Sequence, residues 1–276
     1  MASDRRPDED LNPQAEYMAD ESMVRTLAAQ AEAIWPQEVA LFRRYALPRG
    51  PRILDAGCGT GEISSRLGAL FTDSSVLGVD VLDGHLQLAR RRHPDPRLRF
   101  ERRSIFELGL PDGTFDLTVC RHVLHAVPHA DRAIAELVRV TRSGGRLHLL
   151  VEDYGMIHFP RRALDPATFW PEVPFRFGEA TATDMRIGRD TFGILRRLGL
   201  ADITVDYVVV DPLRVPRDTF ARIWTAWRDG YAGAIGELTH MTRDEAVAHF
   251  DDEIAAIRDP EAYAAWIVPI VAAVVP

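Results

Sequence analysis

The chain has 276 residues, 46% of them hydrophobic and 27% charged, with a formal net charge of -8 at pH 7. That size and composition fit one large α/β domain with insertions, and the acidic balance argues against a nucleic-acid backbone as partner, because such proteins carry a basic face. All 33 basic residues are arginine, which excludes a lysine Schiff base and a phosphate-loop lysine.

The two cysteines, Cys58 and Cys120, have neither the spacing of a metal site nor that of a disulfide framework, so no metal is expected. No apolar run approaches a membrane span. The acidic first twenty or so residues lack a signal-peptide core, so a cytoplasmic protein without a membrane partner is expected.

Residues 1–15 are charged, proline-bearing and expected to be disordered. Val24, Leu27, Ala31 and Ile34 then recur at helical spacing, predicting a helix over 21–34. Pro36 suits a first helical position and predicts a second helix over 36–46. Strands are predicted at 52–56, 75–80, 97–102, 115–120 and 146–152, with helices near 61–70, 83–92 and 129–142 between them. Ser143-Gly144-Gly145 is read as the stop between the last of these helices and its strand. This alternation implies a mostly parallel sheet with helices on both faces. The pattern breaks over 154–188, rich in proline and aromatics, and returns as a helix at 190–199 and a strand at 202–210. Residues 216–259 read as two or three helices, and 266–275 as a last strand with Pro269 inside it, which suggests an edge position. The insertions at 154–188 and 216–259 are expected to form helical caps above the carboxyl ends of the strands, where ligands bind in such sheets.

The stretch Ile53-Leu54-Asp55-Ala56-Gly57-Cys58-Gly59-Thr60-Gly61 places three alternate glycines between an apolar strand and a helix. Glycines let the backbone turn sharply and approach a ligand. Asp80 ends the next strand, where an acidic side chain can accept both hydroxyls of a ribose. A dinucleotide site would need its third glycine at position 62, which is Glu62, and a carboxylate there would repel a pyrophosphate. A ligand with a ribose and an ammonium but no phosphate suits the charges better.

These residues, with Val79-Asp80, Leu110-Pro111-Asp112-Gly113-Thr114-Phe115-Asp116 and the stretch from Arg139 to Leu149, resemble those of class I, Rossmann-like methyltransferases of the small-molecule type. The resemblance covers roughly 17–149. It implies a Rossmann-like, mostly parallel seven-stranded sheet over 16–276 and S-adenosylmethionine as cofactor. By resemblance, the cofactor is held by Tyr17, Asp55, Gly57, Cys58, Gly59, Gly61, Asp80, Val81, Ser104, Ile105, Arg121 and His122. Ser104 stands where most relatives carry the aspartate that meets the adenine amine.

Methyl transfer needs a positioned, desolvated nucleophile, and an oxygen or carbon nucleophile usually needs a base. Cys120-Arg121-His122-Val123 stands where nucleic-acid base methyltransferases carry Asn/Asp-Pro-Pro-Tyr, which argues against that substrate. The expected reaction is transfer to an oxygen or nitrogen of a small molecule, such as a secondary metabolite. Carbon methylation, or a cofactor-binding protein of the same fold without catalysis, is the alternative. The candidate catalytic residues are Glu152, His125, Tyr154 and His158. Glu152 is favoured as the group facing the acceptor, with Asp153 bracing the following loop, because neighbouring strand residues point to opposite faces. His148, inside an apolar strand, is expected to be a hydrogen-bonded core residue.

Overall fold

In a computed structural model, the described residues are Pro13, Gln14, Tyr17 and 21–276. The expected disordered stretch 1–15 lies outside them except for Pro13 and Gln14, and Gln14 is fully buried.

The first helix, α1, runs unbroken over Glu21–Arg44 with Pro36 inside it. Two helices were expected there. The helix continues because Ile34, Glu38 and Phe42, four residues apart, are all buried on one stripe. The stripe anchors both sides of the proline, which offsets the one backbone bond it removes.

The α/β alternation then follows as β1 (Arg52–Ala56), α2 (Glu62–Leu70), β2 (Ser75–Asp80), α3 (Asp83–Arg92), β3 (Leu98–Arg102), β4 (Phe115–Arg121), α4 (Ala130–Val140) and β5 (Thr141–Leu150). After β5 come a two-residue strand β6 (Ile157–His158), α5 (Val173–Thr181), α6 (Ile187–Arg197), β7 (Ala201–Val210), α7 (Arg217–Leu238), α8 (Arg243–Arg258) and β8 (Ala265–Val274). Among the described residues these strands form one sheet in the order β3-β2-β1-β4-β5-β8, with β7 on the far side of β8. The first five are mutually parallel and β8 is antiparallel to both its neighbours. β6 pairs with Ala265 and Trp266 of β8, beyond the end of β5. All seven residues of β4 are buried, as befits a central parallel strand covered on both faces.

Two sequence readings are corrected. Ser143-Gly144-Gly145 does not precede the fifth strand but forms a bulge inside it: Phe115 pairs with Thr141 and Leu117 with Arg146. A Cβ at Gly145 would come within 2.8 Å of the Arg142 carbonyl, so the bulge has room only for glycine there. Pro269 lies in an interior strand, not an edge one, since β8 is paired on both sides. Val151 donates to the Pro269 carbonyl (3.0 Å), one position past the last β5–β8 pair, Leu150↔Ile270. The missing proline N–H therefore faces the place where β5 leaves the sheet, and no ladder bond is lost.

Alternate β1 residues feed opposite faces of the sheet: Ile53 packs with Phe42, Leu67 and Leu86, and Leu54 with Ile134, Leu137 and Leu195. A third cluster joins α1, α5, α7 and α8 to the β7–β8 end, with Trp224 and Trp266 fully buried in it. The helices of 216–259 thus share one apolar core with α1 and β8. On the free edge of β7, the Gln37 side chain donates to the Val209 carbonyl (2.9 Å) and accepts from the Val209 N–H (3.2 Å).

Candidate active site

The loop after β1 is shaped by its glycines. Gly57 (φ 75) and Gly59 (φ 52) are left-handed, and a Cβ would come within 2.2 Å of Val123 at Gly57 and 2.7 Å of Leu27 at Gly59. The Gly57 and Cys58 N–H groups both donate to the Val79 carbonyl (2.8 and 2.9 Å), which draws the loop over the end of β2. Asp80 completes the anchor: Oδ2 accepts from Gly59 N–H (2.8 Å) and Oδ1 from Leu82 N–H (2.9 Å).

Above this loop lies a cavity of about 800 Å³, mouth included. Of the expected cofactor residues, Gly57, Gly59, Asp80, Val81, Ser104, Ile105, Arg121 and His122 line it. Tyr17, Asp55, Cys58 and Gly61 are not among the lining residues. Tyr17 packs against Phe177, with ring centroids 6.2 Å apart. Asp55 is buried beneath the loop and accepts from Ser64 Oγ (2.6 Å), and burial pushes its carboxyl up to about 6. Cys58 is buried, its thiol pushed up by burial, and Gly61 N–H donates to the Cys58 carbonyl (2.9 Å) to close the turn. Asp55, Cys58 and Gly61 build the loop, and Tyr17 packs in the cluster under the cap. Arg103, on the segment after β3 that the resemblance sets beside the adenine, also lines the cavity, as do Leu27, His85 and Phe106, for which no role was expected.

The wall includes polar atoms that the fold leaves unsatisfied. Arg121 Nη2, His122 Nε2 and His85 Nε2 are buried without a hydrogen-bond partner among the described residues. Arg121 is oriented from behind by Glu38 of α1 (Nε–Oε1 2.8 Å). Glu38 also meets His148 Nε2 (2.9 Å), and His148 Nδ1 meets the Tyr45 hydroxyl (2.7 Å). Burial opposes ionisation of Glu38, but the Arg121 charge and His148 outweigh it and pull its carboxyl below the usual range. His148 is the buried, bonded core histidine that was expected, and it stacks on Phe42 at 4.2 Å. A cavity with a diol-accepting carboxylate, a spare guanidinium N–H and an apolar slot of Val81, Ile105 and Phe106 fits the ribose, carboxylate tail and adenine of S-adenosylmethionine.

Between this cavity and a second one sits Glu152, just past β5. His122 Nδ1 bonds Glu152 Oε1, and His125 Nδ1 lies 2.7 Å from Oε2 in a bent geometry. Burial raises the Glu152 carboxyl, but the His125 and His122 rings outweigh it and hold it well below the ordinary range. Burial lowers the His122 imidazole despite its carboxylate partner. His122 itself is left-handed (φ 56), which turns the chain out of β4 toward Glu152.

The second cavity encloses about 470 Å³, mouth included, and is walled by Tyr154, Phe169, Trp170, Phe177, Trp227, Tyr231 and Phe250, with His125 and Gln14 among its polar groups. Tyr154 stands edge-on to His125 (centroids 5.7 Å). Trp170 Nε1 donates to Glu253 Oε1 (2.6 Å), which fixes that wall. The direct acceptor-facing role expected for Glu152 is corrected: its carboxylate is enclosed by two imidazoles and lines neither cavity. His158 is exposed in β6 and lines neither cavity. Asp153 braces the following loop as expected, gripping Arg189 through both oxygens (2.7 Å each) and accepting from Gly155 N–H (2.9 Å). Among the described residues, no cluster of His, Cys, Asp and Glu could hold a metal ion, and no helix is long and apolar enough to cross a membrane.

The fold and the lining of this cavity are similar to those of class I, Rossmann-like methyltransferases that use S-adenosylmethionine. Residues 54–149 match the family model described as "Methyltransferase domain". Among curated proteins, the chain is 36% identical over 107 residues to 27-O-demethylrifamycin SV methyltransferase of Amycolatopsis mediterranei, covering 37% of this chain and 39% of that one. It is 36% identical over 98 residues to phthiotriol/phenolphthiotriol dimycocerosates methyltransferase of Mycobacterium leprae, covering 36% of each. The match spans well under half the length of these relatives. Among solved structures, the chain is similar in fold to the [4+2]-cyclase SpnF (TM-score 0.60, 22% identity, 95% of this chain and 96% of that one). It is also similar to Haemonchus contortus phosphoethanolamine N-methyltransferase 2 bound to S-adenosyl-L-methionine (TM-score 0.58, 18% identity, 94% of this chain and 59% of that one).

Proposed function

We propose that the protein transfers a methyl group to an oxygen or nitrogen of a small, largely apolar molecule. The observation that carries this reading is the histidine pair on one buried carboxylate. His122 belongs to the cofactor cavity, His125 to the aromatic cavity, and Glu152 holds both. The aromatic cavity is then the acceptor site, and the insertions 154–188 and 216–259, which supply most of its wall, act as its cap. Rings of this kind exclude water and position an apolar guest.

When bound, S-adenosylmethionine supplies an electrophilic methyl on a sulfonium. Asp80 and Arg121 would hold its ribose and carboxylate tail, and the sulfur would keep the electron pair of the carbon–sulfur bond given up in methyl transfer. His125 takes the proton that the acceptor atom loses. Its Nδ1 faces Glu152, which leaves Nε2 as the basic nitrogen. The imidazolium that results would be stabilised by the adjacent Glu152 carboxylate. Glu152 is a positioning residue, in the way that the third member of a catalytic triad orients its histidine. Tyr154, edge-on to His125, restricts the ring's rotation. The Amycolatopsis mediterranei relative named above acts, by its printed name, on 27-O-demethylrifamycin SV, which supports a small-molecule acceptor.

The test is release of S-adenosylhomocysteine, read by mass spectrometry, with a panel of phenols, alcohols and amines. His125→Ala is expected to abolish release while S-adenosylhomocysteine still binds. Tight cofactor binding with no release from any acceptor would favour a non-methylating protein of the same fold.

A further inference from the structure

The aromatic cavity has an unusual charge pattern. Among the described residues, no arginine, aspartate or glutamate lines it, and the chain has no lysine at all. Apart from the two tyrosines, His125 is the one titratable side chain in its wall. A phosphate, carboxylate or quaternary ammonium entering this space would be stripped of water with no countercharge, which is strongly unfavourable. Aromatic faces can attract a cation, but Glu152 is screened behind His125 and offers no anion to the guest.

A second polar group faces the same space. Gln14 is fully buried, and its Nε2 donates to Thr183 Oγ1 (2.9 Å) on the segment after α5. That bond fixes the orientation of the amide. Its Oε1 is buried without a partner among the described residues. A buried carbonyl oxygen left unsatisfied is costly, and a guest that donates a hydrogen bond relieves the cost.

Resting on the methyl-transfer reading above, we propose that the acceptor is an uncharged, ring-bearing molecule with at least two hydroxyl-type donors, and that Gln14 is the residue that selects it. One hydroxyl meets His125 and is the oxygen methylated. The other donates to Gln14 Oε1 and fixes the orientation of the ring system between the aromatic walls. The pattern favours oxygen over nitrogen as acceptor, because an amine reaches the cavity as a cation and finds no carboxylate lining it. It also separates this site from one for phosphoethanolamine, whose two charges the cavity does not match.

The experiment is calorimetric titration of the full chain saturated with S-adenosylhomocysteine, using 2-naphthol, a set of dihydroxynaphthalenes and phosphoethanolamine as probes. The best diol is expected to bind roughly tenfold more tightly than 2-naphthol, the size of one satisfied hydrogen bond. Gln14→Leu is expected to erase that preference and leave 2-naphthol binding unchanged, while phosphoethanolamine gives no binding heat. Gln14→Met serves as a second variant of similar length. Binding of phosphoethanolamine, or a diol preference that survives both variants, overturns the proposal. Loss of both ligands in both variants overturns it too, because Gln14 would then be a structural brace and not a selector. Failure of S-adenosylhomocysteine to bind the unaltered chain would instead remove the cofactor reading on which the proposal rests.

Discussion

Replacing Asp80 by alanine tests the cofactor site where its geometry is most explicit. The carboxylate has two duties: it anchors the glycine loop through the N–H groups of Gly59 and Leu82, and its remaining lone pairs face the cavity. If both ribose hydroxyls donate to it, their loss costs about 2–3 kcal/mol of binding, the lower range for two bonds to a charged but partly exposed acceptor. At about 1.4 kcal/mol per factor of ten, S-adenosylhomocysteine should bind roughly 30- to 150-fold more weakly. The two backbone N–H groups also lose a partner, but water reaches this half-buried position, so about 1 kcal/mol of stability is at stake. That corresponds to a fall of about 2–4 °C in melting temperature. A strand-end carboxylate read from sequence alone suggests almost no effect on folding, and the loop anchor is what changes that expectation. The assay pairs calorimetry with a thermal melt of the ligand-free chain. Asp80→Asn, which keeps one carbonyl oxygen, should fall between the two. Affinity within about threefold of the unaltered protein would refute the ribose assignment, whatever happened to the melt.

The buried carboxylates give two further predictions. Glu152→Gln puts an amide between His122 and His125, so one imidazole N–H meets an NH₂; turnover should fall about tenfold to a hundredfold, the worth of one charge-assisted hydrogen bond, with little change in cofactor affinity. Full turnover in this variant would remove Glu152 from the mechanism. Glu253 accepts from the indoles of Trp170 and Trp224, and burial pushes its carboxyl up to about 8 from an ordinary value of 4.5. The folded chain therefore holds this proton more tightly than the unfolded one: the contribution is complete below 4.5 and is lost as pH rises through about 8. Denaturant midpoints should decline across that window, and Glu253→Gln should flatten the decline. An unchanged slope in the variant would show that other groups set it.

How much of this was legible in the sequence depends on the range of the interaction. The strand–loop–helix around Gly57 was readable because its determinants are contiguous: an apolar run, alternate glycines and an acid at the next strand end. The errors at Pro36, Pro269 and Gly145 share one cause. Local propensity marks a break, and tertiary pairing supplied by the stripe of α1 and by the partners of β8 and β5 overrides it. Side-chain roles were harder still. Asp55 and Gly61 were placed on the ligand because they belong to the motif, yet they support the loop from below. Glu152 stands out in the sequence at a strand end, but its two histidine partners lie on another strand end, and nothing in a one-dimensional pattern shows that they enclose it. Arg121 meets Glu38 across 83 positions, and Gln14 meets Thr183 across 169, so neither pair leaves any local signal. Gln14 also fell within a stretch whose composition argues for disorder.

The amide of Gln37 has a consequence for how the molecule behaves in company. β7 is the last strand on its side of the sheet, and Val205 and Tyr207 are exposed along it. Such a rim invites a second chain to add a strand by backbone pairing. Gln37 answers the N–H and the C=O of Val209 together, as a neighbouring strand would. A few residues away, the Arg44–Asp206 ion pair (2.9 Å) sets charge along the same rim. The helix that orients Arg121 at the cofactor cavity therefore also shields the sheet's open border against aggregation. A substitution of Gln37 alone, which lines neither cavity, would be felt first as poor solubility, with the glycine loop and both cavities still intact.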